Sequence, residues 1–475
     1  MLVKSQRQPA AVLIAVVLTS LAGCGQSGFE SHFVYSDRTE SLMKEAQEGV
    51  DDLPGIKDLV DERFGNPQDL RAWTKLPIDF GGAIGKISEA PDASVAVKEL
   101  KLELDGEVSP KEGQPLELQF VTGAAAPQVV RVENWAAADG IASLTSALET
   151  PPAAGDVVIL NGGGSLRHGR GLYMRHCSHC HGTSGDGNGP TAAYLNPRPR
   201  DYRHGVFKFT STSAQEKASR EDLRRVLRNG VPGTYMPSFV PMLSEDELTE
   251  VVEYVRFLAM RGEFERRMVN ELAADYSKDA FESRTRDGES RQDIVSELKD
   301  FLSEDLNDSL EFVSDDLADV WAGADEEDAL IIPDIPRVED TEESRRRGRE
   351  LYLSKAINCA DCHGVAGKGN GPQTTIYEKN PVTQELYPEP GLHDVWDNVN
   401  QPRNLTQGIY RGGRRPIDLF ARIHAGIKGS RMPSFKNLKH EEIWDIVNYV
   451  LSIPFEPEPG RGPEPEAVPE STAAL

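Results

Sequence analysis

The 475-residue chain is poor in cysteine and in positive charge. It has five cysteines, and 52 Lys and Arg residues face 77 Asp and Glu residues, for a formal net charge of −25. This negative charge repels nucleic acid and favours a basic partner. After the first two dozen residues, no apolar run is long enough to span a membrane. The length allows about three domains at ~150 residues each, with sizeable hydrophobic cores.

The N-terminus has the features of an export signal. Lys4 and Arg7 precede an apolar run at 10–18, and small residues follow it in "LAGC", 21–24. This segment resembles a bacterial lipobox, in which Cys24 becomes the lipidated first residue of the mature chain. An uncleaved anchor is the alternative, and either would tether the protein to a membrane. We therefore expect a lipid-anchored protein on the periplasmic side of a bacterial membrane.

The other four cysteines form two matched motifs, each followed by a histidine. They are Cys177, Cys180 and His181 in "CSHCH", and Cys359, Cys362 and His363 in "CADCH". Cys-x-x-Cys-His is the attachment signature of c-type haem, with two thioether bonds and a proximal histidine. A zinc site, a redox dithiol or two local disulfides remain alternatives, but none of them explains a histidine after each pair. The motifs predict two covalently bound haem c groups.

Two methionines are candidates for the sixth iron ligand. Met236 lies in "GVPGTYMPSF" and Met432 in "GIKGSRMPSF", each downstream of a haem motif. A lone methionine usually fills a core, whereas matched frames favour a shared role. Methionine ligation raises the potential of electron-transfer haems. We expect one His/Met-ligated iron in each half.

The match between the halves extends over whole domains. "HGTSGDGNGP" corresponds to "HGVAGKGNGP", and "LSEDELTEVVEYV" corresponds to "LKHEEIWDIVNYV". Each copy resembles a class I cytochrome c domain, which implies that Gly169 and Gly348 let the first helix cross the last near Tyr254 and Tyr449.

The same resemblance implies roles for further residues around each haem. The carbonyl of Pro190 or Pro372 would accept the other N–H of the proximal histidine. Arg200 and Arg403, at matched positions, would pair with haem propionates, with a solvated surface arginine as the alternative.

The remaining segments carry no motif. We expect amphipathic acidic helix in the linker and disorder in the Pro/Glu tail. An insertion at 373–401, found only in the second copy, predicts a lid, a docking loop or plain loop decoration.

The predicted fold is mainly α, with two class I cytochrome c domains, a helical N-terminal region and a small β-rich segment. The predicted divisions are a signal peptide at 1–23, the helical region at 24–94, short strands at 95–164, cytochrome c domains at 165–268 and 340–455, an acidic linker at 269–339 and a tail at 456–475.

These features favour a membrane-tethered electron carrier over an enzyme. The expected partners are a quinol-oxidising complex and a terminal oxidase or reductase, either as separate proteins or as parts of one complex. A dihaem peroxidase-like enzyme is the alternative, and it requires one haem with an open distal position. A scaffold whose haems serve a larger dehydrogenase is a third hypothesis.

Overall fold

The computed structural model describes residues 32–46, 55–92, 94–108, 116–125, 128–161 and 164–456. The predicted signal peptide, Cys24 and all of the predicted tail after residue 456 lie outside these ranges. Among the described residues, no helix combines the length and the apolar character needed to cross a membrane.

Among the described residues, two helices and a six-stranded barrel precede the first haem-motif domain. The helices are α1 (Asp37–Ala46) and α2 (Ile56–Phe64), and the strands are β1 (Ala83–Ile87), β2 (Glu99–Leu104), β3 (Leu116–Phe120), β4 (Val129–Ala136), β5 (Ile141–Leu144) and β6 (Val157–Leu160). The strands are antiparallel and close in the order β1-β2-β5-β4-β3-β6 around an apolar core that includes Leu118 and Val158. The sequence predicts short strands here but no closure, and β1 begins before the predicted start at 95. In β1 the buried positions are Ala83, Gly85 and Ile87, and the first two are too small to give a clear alternating hydrophobic pattern.

The first haem-motif domain is built around one close helix crossing. A Cβ atom at Gly169 would lie 2.1 Å from the Glu250 carbonyl oxygen and 3.4 Å from Tyr254 Cβ, so only glycine permits this approach. The predicted crossing is therefore confirmed. The helices are α3 (Gly164–His176), α4 (Ser178–His181), α5 (Arg220–Asn229) and α6 (Glu245–Tyr276).

The acidic linker folds back on α6. Its regularly spaced apolar residues, Leu298, Leu302, Leu306, Leu310, Val313, Leu317 and Trp321, are all buried, as the amphipathic pattern predicts. The first four leucines, at 298–310, are spaced by four residues. On a regular helix of 3.6 residues per turn, a stripe with this spacing would rotate away from the core. A wider π turn at Phe301–Asp305 keeps the stripe on one face. The linker helices are α7 (Lys278–Arg286), α8 (Arg291–Asp300) and α9 (Leu306–Gly323).

The second haem-motif domain repeats the first around its own core. A Cβ atom at Gly348 would lie 2.0 Å from the Asp445 carbonyl oxygen and 2.9 Å from Tyr449 Cβ. This confirms the second predicted crossing. Its helices are α10 (Glu342–Leu353), α11 (Cys359–His363), α12 (Pro416–Ala425) and α13 (His440–Ser452).

Candidate haem-binding sites

Each Cys-x-x-Cys-His motif forms a short helical turn after the first helix of its domain, directly in the first domain and after residues 354–358 in the second. In the first domain, the His181 N–H donates to the Cys177 carbonyl over 2.9 Å, which places the thiols and the imidazole on one turn. No disulfide joins any of the four motif cysteines, Cys177, Cys180, Cys359 and Cys362. Within the described part of the chain, no group of three or more His, Cys, Asp or Glu side chains could hold a metal ion. The structure therefore does not support the local-disulfide alternative.

The glycine-rich segment after each motif is held against the motif backbone. The Gly187 N–H donates to the His181 carbonyl over 2.9 Å, and the Gly369 N–H donates to the His363 carbonyl over 2.7 Å. Both glycines have positive φ, at 74° and 75°. A Cβ atom at Gly187 would also lie 2.8 Å from the Pro199 carbonyl oxygen, where the chain returns past the turn. A side chain at Gly187 would therefore block the segment around Pro199, which must pass close to this turn to reach His181.

That returning segment supplies the hydrogen-bond partner of each imidazole. His181 Nδ1 lies 3.1 Å from the Arg200 carbonyl oxygen, and His363 Nδ1 lies 3.1 Å from the Arg403 carbonyl oxygen. With its Nδ1–H donated in this way, each ring leaves Nε2 free to bind a metal.

The expectation that the Pro190 and Pro372 carbonyls fill this role is wrong. The turn before each proline is fastened to the backbone of the motif, since the Gly189 N–H donates to the Cys180 carbonyl and the Gly371 N–H to the Cys362 carbonyl. The segment containing the arginine passes alongside the ring instead.

Burial favours the neutral form of both imidazoles. Burial lowers the pKa of His181 to about 4, outweighing the hydrogen bond to the Arg200 carbonyl, and it lowers the pKa of His363 in the same direction. A neutral imidazole is the form that binds a metal.

The two methionines occupy equivalent loops. The Met236 carbonyl accepts the Val231 N–H over 3.0 Å, and the Met236 N–H donates to Thr234 Oγ1 over 3.1 Å. In the second domain the Met432 carbonyl accepts the Ile427 N–H over 3.1 Å, and its own N–H donates to a serine hydroxyl. The loops follow α5 and α12, so their matched sequence corresponds to matched backbone.

A single cavity of about 1800 Å³ brings all these residues together. This is well above the ~300–1,000 Å³ of an ordinary ligand pocket. It is lined by all eight predicted thiol, imidazole and thioether residues and by both predicted arginines: Cys177, Cys180, His181, Met236, Cys359, Cys362, His363, Met432, Arg200 and Arg403. Two thiols, one neutral imidazole and one thioether from each domain fit covalent haem c, which supplies a one-electron iron couple when bound.

The two predicted propionate arginines have different surroundings. The Arg200 guanidinium lies 3.6 Å from the ring centroid of Trp396, and its burial lowers its pKa to about 10. Arg403 donates from Nε to the Ile409 carbonyl over 3.0 Å and from Nη2 to Gln407 over 3.2 Å. Pairing with propionates remains a prediction for both.

Trp396 has no role predicted from the sequence, although it lies in the 373–401 insertion and lines the cavity. The sequence shows a tryptophan within an insertion, but this alone does not predict which surface the indole ring contacts.

Two protein-family models match the segments that carry the haem motifs. The family model described as "Cytochrome C oxidase, cbb3-type, subunit III" matches residues 164–255, and the model "Cytochrome c" matches residues 346–454. No curated protein matches the chain. A solved structure of the reducing HAO-like protein complex of Kuenenia stuttgartiensis is 23% identical, with a TM-score of 0.42, covering 60% of this chain and 95% of that one. The protein is a dihaem c-type cytochrome, with one cytochrome c domain and one covalently bound haem c for each Cys-x-x-Cys-His motif.

Proposed function

We propose that this protein is a membrane-tethered carrier that passes single electrons between a quinol-oxidising donor and a terminal oxidase or reductase. The observation that carries the proposal is the matched pair of methionine loops. Met236 and Met432 line the same cavity as His181 and His363. A thioether as sixth ligand favours electron transfer because it leaves no open iron position for a small substrate.

The chain's own residues serve this role by holding the ligands in place. The carbonyls of Arg200 and Arg403 orient the imidazoles. The turns around Met236 and Met432 fix the thioether-bearing loops through backbone hydrogen bonds. Little of this site needs to rearrange when one electron arrives or leaves.

The test is to remove each methionine in turn. Met236→Ala and Met432→Ala each lower the potential of one haem and open it to carbon monoxide, measured by redox titration and absorption spectra. Met242→Ala is the matched control, because Met242 follows the Met236 loop in the chain and about half of its surface is exposed. Unchanged spectra in both loop variants would show that the sixth ligands are misassigned.

The same spectra separate the carrier from a peroxidase-like enzyme. A carrier with both irons ligated by His and Met does not bind peroxide or carbon monoxide in the unmodified protein. Immediate binding at one haem of the unmodified protein favours the enzyme.

The proposed tether and partners rest on the sequence. The N-terminal signal and Cys24 support a lipid anchor on the periplasmic side of a bacterial membrane. The net charge of −25 supports basic docking surfaces on the redox partners. Cys24→Ser is expected to move the holoprotein from the membrane fraction to the soluble fraction. Retention on the membrane would count against the lipid anchor.

A further inference from the structure

The 373–401 insertion of the second domain lies against the first domain. Asp394 and Lys208 form an ion pair across this boundary, with Nζ 2.8 Å from Oδ2 and both side chains about nine-tenths buried. The next residue binds the second domain, since the Val395 N–H donates to the Gly429 carbonyl over 3.1 Å. The insertion is therefore held by both domains at 394–396.

Trp396 contacts the first domain next to its histidine ligand. Its Nε1–H donates to the Asp201 carbonyl over 3.2 Å, and the Arg200 guanidinium stacks on its ring at 3.6 Å. The carbonyl of the same Arg200 accepts the hydrogen bond from His181. Arg200 therefore contacts both the Trp396 indole and the His181 imidazole.

Trp396 also contacts the methionine loop of the second domain. A Cβ atom at Gly429 would lie 2.7 Å from Cζ3 of the indole, so the ring packs directly on the backbone at this point. Gly429 precedes Met432 by three residues, and the Ser430 hydroxyl between them accepts the Met432 N–H over 3.2 Å. The indole therefore reaches from the histidine side of one site to the methionine side of the other.

A second cross-domain contact supports a fixed arrangement. Lys428 Nζ, beside Gly429, donates to Thr212 Oγ1 over 2.7 Å and to the Glu216 carbonyl over 2.6 Å. Thr212 and Glu216 belong to the first domain. Since the lysine is mostly buried, these hydrogen bonds hold the methionine loop of the second domain against the first domain.

We propose that Trp396 is a positioning residue that fixes the two haem sites relative to each other and forms the packed contact through which they exchange electrons. The exchange itself is simple: one iron is oxidised from Fe(II) to Fe(III) as the other is reduced from Fe(III) to Fe(II). Trp396 stays in one redox state and provides continuous packed atoms between the ligand-bearing segments. This inference rests on the proposed electron-carrier function, and it assigns the insertion to an internal contact instead of a partner-docking loop.

The experiment measures electron exchange between the haems in the full holoprotein after rapid reduction by a photochemical donor. Trp396→Ala removes the indole, and Trp396→Phe keeps an aromatic ring but loses the hydrogen bond to Asp201. Tyr377→Ala is the matched control, because Tyr377 is an aromatic residue of the same insertion with 54% of its surface exposed. Redox titration of each variant separates a change in rate from a change in the two potentials.

We expect Trp396→Ala to slow exchange by about tenfold or more, equivalent to ~1.4 kcal/mol in the barrier. The exchange rate of Trp396→Phe is expected to lie between those of Trp396→Ala and the unmodified protein, and Tyr377→Ala is expected to leave the rate unchanged. Hydrogen exchange at 199–209 rises in Trp396→Ala, a readout that does not depend on electron transfer.

Two results overturn the inference in distinguishable ways. A Trp396→Ala protein with an unchanged rate and unchanged protection at 199–209 overturns the role of Trp396 and leaves the electron-carrier function intact. The second result is that the two haems of the unmodified protein accept electrons separately and exchange none. This result overturns the role of Trp396 and also the hypothesis that the carrier passes electrons through its two haems in turn.

Discussion

Gly169→Ala is expected to destabilise the first cytochrome c domain, because α3 and α6 touch at this residue. The new Cβ would lie 2.1 Å from the Glu250 carbonyl oxygen, whereas real Cβ atoms essentially never approach closer than 3.0 Å. The helices must therefore separate by 3.0 − 2.1, about 0.9 Å, at the crossing. The clashing atom belongs to the backbone of a buried helix, so no side-chain rotation relieves the contact.

The magnitude follows from two opposing effects. Overpacking of this kind costs about 1–3 kcal/mol, and a clash with backbone lies at the upper end. Replacing glycine by alanine inside a helix returns about 0.5–1 kcal/mol. Taking the upper end of the first range, about 3 kcal/mol, and subtracting the second, we expect a net loss of about 2–2.5 kcal/mol in the free energy of unfolding.

Gly171→Ala on the same helix is the matched control. Nothing lies within 4 Å of a Cβ atom at Gly171, so this variant keeps only the helix-propensity gain and is slightly stabilised. The assay is guanidinium unfolding of the holoprotein, followed by helical circular dichroism and haem absorbance. Equal effects of the two substitutions would refute the reasoning that the crossing depends on a bare backbone at 169.

Three other predictions concern pH, a buried hydrogen bond and haem attachment. Burial lowers the pKa of Lys208 to about 8, against 10.5 in the unfolded chain, so the unfolded state binds more protons between these values. Stability measured by denaturant titration therefore rises with pH in this window, and a Lys208→Met protein with the same slope would contradict this assignment. Trp321→Phe removes the 3.0 Å hydrogen bond to the buried Glu263 carboxylate and is expected to cost about 1.5–3 kcal/mol of unfolding free energy; a calorimetric melting temperature equal to that of the unmodified protein would count against it. Cys362→Ser leaves one thioether on the second haem, which a shifted haemochrome spectrum detects, and an unshifted spectrum would show that this thiol is not attached.

Much of each haem site could be predicted because its chemistry lies in short, repeated segments. The spacing of Cys177, Cys180 and His181 fixes one helical turn, and the internal repeat identifies Met236 among the other methionines. The close helix crossing at Gly169 could also be predicted, because Gly348 occupies the matching position before the second motif. Local spacing and duplication are properties of the sequence itself.

The parts that could not be predicted depend on packing between distant segments. The choice of the Arg200 carbonyl over that of Pro190 follows from where the returning chain passes the imidazole. Closure of the barrel depends on β1 pairing with β6, about 70 residues later, and β1 carries a weak hydrophobic signal. The position of Trp396 depends on how two separate domains meet.

The most direct test of the central claim is exposure of the reduced, unmodified holoprotein to carbon monoxide, followed by its absorption spectrum. With imidazole and thioether bound to both irons, the spectrum stays the same at both haems. Rapid formation of a carbon monoxide complex at either haem would contradict a carrier built from two closed sites.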